Sequence, residues 1–93
     1  MNYKVEYTSK AIKSLKKFDK HVRKILKDWI EENLINTTNP RRHGKGLTGD
    51  KSGQWRYRVG DYRILARIQD NKVVILIINI GHRKDVYKIW SLS

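Results

Sequence analysis

Ninety-three residues with 39% hydrophobic side chains suffice for one small packed domain and leave no material for a second core. Twenty-one Lys and Arg stand against nine Asp and Glu, a net charge of +12 that points to a polyanionic partner, because releasing counterions from phosphates drives association. The lack of cysteine excludes disulfides and thiolate metal sites, and the longest apolar run, VVILII, is too short to span a bilayer.

In chain order, residues 2–7, NYKVEY, alternate Tyr3, Val5 and Tyr7 with polar positions and read as a first strand. No secretory apolar region is found here, so the expected location is the cytoplasm. Thr8 or Ser9 can cap a helix, and from Ala11 to Leu34 apolar residues recur at three and four, with lysines facing outward. Asp19 is a second N-cap, which favours a short helix over about 9–17 and a longer one over 20–34, packed as a helical hairpin. Without that break, the same spacing would suit a coiled-coil arm. Residues 36–53, NTTNPRRHGKGLTGDKSG, collect turn formers and the single proline and read as a loop.

The stretch QWRYRVGDYRI, residues 54–64, alternates on both sides of Gly60-Asp61 and predicts a hairpin with strands over 54–59 and 62–69. Glycine first in a two-residue loop suits a type II′ turn, pairing Val59 with Tyr62, Tyr57 with Ile64 and Trp55 with Ala66 on one apolar face. The opposite face then sets Arg58 directly across from Arg63, with Arg56 and Arg67 further along. Opposed like charges destabilise a ladder, so this face makes better sense as a phosphate site than as a solvated surface. Asp70-Asn71 marks a second tight turn, which would pair Arg63 with Ile78, and residues 72–80, KVVILIINI, read as a central strand. His82 and Arg83, and one helical turn later Tyr87, are expected to emerge at the arginine edge. The order β-α-α-β-β-β with a short C-terminal helix implies an α+β fold: a small antiparallel-rich sheet with a helical hairpin on one face, one domain over residues 1–93.

The segment RRHGKGLTG, residues 41–49, fails as a P-loop because Asp50 stands where a lysine would be required, which argues against ATP or GTP hydrolysis. Lys45 and Arg42 remain candidates for contact with a phosphodiester backbone, beside the plainer reading of a solvated loop. The nine acids show no catalytic pair, and no metal-ligand spacing or nucleophile elbow is visible. The expected chemistry needs neither metal nor cofactor.

GQWRYRVGDYRI and GHRKDVY, with the preceding strand, helical hairpin and NPRRHGKGL loop in the same order, resemble the RelE/ParE toxin superfamily over nearly the whole chain. The resemblance implies a toxin held inactive by an antitoxin and, for the RelE branch, a metal-independent endoribonuclease that cleaves mRNA in the ribosomal A site. It places Arg56 and Arg58, Arg63, Arg83 and Tyr87 in the active site, with phosphate-binding and catalytic roles. Some relatives carry lysines at the first two positions, one a proposed general base; Arg56 and Arg58 cannot shed a proton, which leaves Tyr87 or His82. An antitoxin with an acidic segment is the expected protein partner. A gyrase inhibitor of the ParE branch and a non-catalytic RNA- or antitoxin-binding module are the alternatives.

Overall fold

The computed structural model describes residues 1–47 and 53–89, the last three of these by backbone alone. The elements run β1 (Lys4–Tyr7), α1 (Ser9–Lys17), α2 (Lys20–Asn33), β2 (Lys45–Gly46), β3 (Gln54–Val59), β4 (Tyr62–Gln69), β5 (Val74–His82) and α3 (Arg83–Ile89). They form a mixed α+β fold around one five-stranded sheet, ordered β1-β5-β4-β3-β2.

Each long helix starts where a side chain can satisfy its first free amides. Thr8 Oγ1 accepts from Ala11 N at 3.1 Å and donates to Ile78 O at 2.8 Å, which ties the start of α1 to β5. Asp19 Oδ1 accepts from Val22 N at 2.9 Å. Phe18 and Asp19 are both extended, so the helical spacing is broken there and the coiled-coil arm does not form. Instead Ala11 and Leu15 of α1, with Leu26, Ile30 and Leu34 from α2 and its C-cap, join one core. They cover Tyr57, Ile64, Ala66, Ile75, Ile77 and Ile80 on a single face of the sheet. Among the described residues, no helix is long and apolar enough to cross a membrane.

The β3–β4 hairpin has the expected register: Val59 faces Tyr62, Arg58 faces Arg63, Tyr57 faces Ile64 and Trp55 faces Ala66. Gly60 takes φ 58° while Asp61 stays out of the left-handed region, as a II′ turn requires. The next connection departs from expectation. Val73 adopts φ 56° and its N–H bonds to Asp70 O at 3.2 Å, so the turn occupies residues 70–73 and the strand begins at Val74. A bulge then passes over Ile78, whose neighbours Ile77 and Asn79 face Ala66 and Leu65. Arg63 therefore pairs with Gly81, three residues beyond the Ile78 partner that a two-residue turn would give. Two further features lie outside the sequence reading: β1 joins β5 in parallel, and two residues of the supposed loop form β2 against β3.

Candidate functional site

Alternation puts Arg56, Arg58, Arg63 and Leu65 on the sheet face opposite α1 and α2. That face is only partly covered: Val86 of α3 packs with Leu65, Ile78 and Leu47 in a small second cluster. Gly81 makes the approach of α3 feasible, since a Cβ there would lie 3.1 Å from Val86 Cγ2. Beyond this patch the face is cationic. Arg58 is exposed across from Arg63, and Arg56 is half-buried between its partners Leu65 and Lys45.

Among the described residues, Arg63 is the only charged one that is buried, at 7% exposure. Its Nη1 donates to Gly60 O and to Tyr62 O, both at 2.9 Å. The intervening carbonyl, Asp61 O, accepts from Arg83 N at 2.7 Å, and Arg83 Nε lies 3.6 Å from Asp61 Oδ1. The hairpin turn thus presents three consecutive carbonyls that orient Arg63 and seat the first residue of α3. These backbone acceptors orient the Arg63 guanidinium, and Arg58, Arg63 and Arg83 lie at one end of the sheet.

Lys45 is brought to this face by a tightly built loop. Gly44 has φ 79°, and a Cβ there would fall 2.3 Å from Arg56 O and 2.8 Å from Trp55 Nε1. Trp55 Nε1 donates to His43 O at 2.7 Å, closing the loop onto β3. Only glycine fits both that backbone and that space. Arg42, by contrast, is exposed and lines a different hollow with Glu32, Asn33 and Thr37, near the C-terminal end of α2. The structure therefore groups Lys45 with Arg56 and separates Arg42 from both. Residues 48–52, on which the failed P-loop comparison depends, lie outside the described residues.

His82 corrects a further expectation. It ends β5 at the same end as Arg63, but it pairs with Tyr62 and shares that residue's face, on the helix side. Its ring sits 5.3 Å from Tyr62 at an interplanar angle of 84°, and its Nδ1 accepts from Lys84 N at 3.2 Å. The bulge and the longer turn move His82 off the arginine face. Tyr87 belongs to α3, but its side chain lies outside the described residues.

A second arginine cluster has a different chemistry. Arg41 clasps Asp70 through two bonds of 3.0 and 2.8 Å, and Tyr3 Oη donates to Asp70 Oδ1 at 2.6 Å. These donors, Arg41 foremost, hold the Asp70 carboxyl down at about 2. The cluster ties β1, the loop before β2 and the β4–β5 turn together. Neither Asp70 nor Arg41 gave any sequence signal of this pairing. Inside the core, burial pushes the Tyr57 phenol well above its ordinary value while its Oη donates to Pro40 O at 2.6 Å. Among the described residues, no three His, Asp or Glu side chains gather in a way that would hold a metal ion.

Two helices packed on one face of a five-stranded sheet, with arginines across the other, make this a small α+β domain with an open cationic face. Residues 5–87 match the family described as ParE toxin of type II toxin-antitoxin system, parDE. The toxin RelG of Mycobacterium tuberculosis is 31% identical over 95% of this chain and 99% of its own. A chain of the toxin–antitoxin complex RelBE2 from the same organism superposes with a TM-score of 0.79 at 27% identity, covering 89% of this chain and 93% of that one. A chain of the intact Escherichia coli RelBE toxin–antitoxin complex gives 0.70 at 27% identity, over 86% and 95%. The chain belongs to the RelE/ParE family of type II toxin–antitoxin toxins.

Proposed function

We propose that the protein is a cytoplasmic, ribosome-dependent endoribonuclease that cuts mRNA in the A site and is silenced by an antitoxin with an acidic segment. The observation that carries this reading is the placement of Arg63 and Arg83 on successive carbonyls of one turn, with Arg58 directly across from Arg63. In the proposed reaction the RNA 2′-hydroxyl attacks the adjacent phosphorus, the P–O5′ bond breaks, and a 2′,3′-cyclic phosphate and a 5′-hydroxyl end result. Arg63 and Arg83 stabilise charge on the phosphorane-like transition state, the kind of preorganised electrostatics worth roughly 10²–10³ in rate per donor. Arg56, Arg58 and Lys45 hold flanking phosphates. Tyr87 is the remaining candidate to move the proton, because His82 faces the other side of the sheet. Among the described residues no preset strong base lies on the arginine face, so in this reading the ribosome supplies alignment of the hydroxyl and phosphate, a contribution of about 7–11 kcal/mol in well-oriented systems.

Mapping RNA 5′ ends after brief induction in cells tests the proposal. In-frame cuts confined to translated messages are expected; random cuts would indicate a free ribonuclease. A second reading is favoured by the matched family's ParE description: a toxin directed at DNA gyrase. Inhibited supercoiling with intact messenger would select it. Unchanged toxicity of Arg83→Ala and Tyr87→Phe would instead indicate a non-catalytic binding module.

A further inference from the structure

A cleft of about 220 Å³ opens at the end of β5, between the last turn of α1 and the start of α3. Phe18 and His82 line it, and Ile80 contributes an apolar wall. The two rings are joined through Tyr62, which meets Phe18 at 5.2 Å and His82 at 5.3 Å, both edge to face. All three aromatic residues are only half-buried, so this chain of rings reaches the surface. Asn79 stands at the bulge and accepts from Ser14 Oγ at 2.8 Å and from Ile80 N at 2.9 Å through Oδ1. What Asn79 can offer a ligand is therefore its pair of Nδ2 donors. Lys17 and Asp85 add one charge of each sign to the lining.

We propose that this cleft holds one base of the RNA strand whose phosphates lie against Arg58, Arg63 and Arg83. The inference rests on the reading of the arginine face as an RNA surface. Three observations select a base. The volume is smaller than the roughly 300–1,000 Å³ of drug-sized sites, which suits a single heterocycle. Aromatic rings of Phe18 and His82 beside the Asn79 amide and the Asp85 carboxylate offer the two kinds of group, rings and base-edge partners, that single-stranded RNA recognition uses. The location fits as well: Gly81 lines the cleft and is the β-ladder partner of Arg63, so the cleft begins one strand away from the candidate phosphate site. A strand crossing the end of the sheet past Gly81 can leave a phosphate on one side and turn a base into the other.

The test measures binding of a fully 2′-O-methylated RNA oligonucleotide, which cannot be cut by its own 2′-hydroxyl, by fluorescence anisotropy. Phe18→Leu is expected to weaken binding roughly five- to tenfold, while Phe18→Tyr, which keeps the ring, stays within about twofold of the parent. Oligonucleotides with a single abasic site moved along the strand should show one position where the parent protein loses the same factor. At that position Phe18→Leu should lose nothing more. Equal effects at every abasic position, or an unchanged Phe18→Leu, overturn the base cleft. Should Phe18→Leu fail to fold, the abasic scan on the parent protein decides alone. An Arg56→Ala/Arg58→Ala variant separates the two readings: if it binds as the parent does, the RNA surface itself is wrong; if it weakens while the scan is flat, only the cleft is.

Discussion

The two ends of β4 hold arginines in opposite ways. At its exit, Arg41 is matched by Asp70 through two bonds, and Tyr3 completes the carboxylate's coordination. At its entrance, Arg63 rests on backbone carbonyls with another arginine facing it, and the nearby Asp61 reaches Arg83 only at 3.6 Å. A guanidinium clasped by a carboxylate has its recognition geometry occupied and serves to hold elements together. One oriented by carbonyl oxygens is held in place by the backbone of its own turn. The contrast teaches that cations of this chain are held by different means: Arg41 by a two-bond clasp on Asp70, Arg63 by carbonyls of its own turn.

The comparison breaks most visibly at the entrance. Arg83→Ala is expected to lower messenger cleavage in a translation extract about a hundredfold or more, with little change in the thermal midpoint because the side chain is half exposed. If cleavage survives within a factor of a few, the functional reading of this end fails. Next in size is Gly44→Ala. Its Cβ would collide with Arg56 O, and its backbone is left-handed, so a loss of about 2 kcal/mol in urea unfolding is expected. The same change should weaken RNA binding, because Lys45 would no longer sit against Arg56.

Smaller effects sharpen the contrast. Arg58→Ala should reduce the slope of log affinity for single-stranded RNA against log salt by about 0.7, whereas Asp70→Asn should leave that slope unchanged. Asp70→Asn should cost less than about 1 kcal/mol of stability, as expected of exposed ion pairs. Its pH dependence has a definite sign. The folded carboxyl is depressed from 3.8 to about 2, so its contribution is fully present above pH 4 and fades as pH falls towards 2. The stability difference between parent and Asp70→Asn should therefore narrow over that interval in acid titrations; a widening gap would contradict the clasp.

Much of this was legible from local chemistry. Alternation around Gly60-Asp61 determined which residues of β3 and β4 face each other, because a two-residue loop leaves no freedom in register. Thr8 and Asp19 announced both long helices, because an amide-capping oxygen is a property of one residue and its next three neighbours. The bulge at Ile78 was not legible: residues 72–80 read as an unbroken central strand, and its one polar residue, Asn79, finds its partner Ser14 only in the folded chain.

What the sequence by itself determined is the hairpin, its opposed arginines, the capped helices and the excess of positive charge, all set by contacts between residues close along the chain. The tertiary structure alone decided that β1 runs parallel to β5, that Asp70 belongs to Arg41, and that His82 turns towards Tyr62. The reason is the two-residue period of a strand: a β-branched Val73 in the left-handed region and one extra residue at Ile78 shift the ladder by three. An odd shift exchanges the faces, and its energy is balanced across the whole sheet, not within any short stretch of chain.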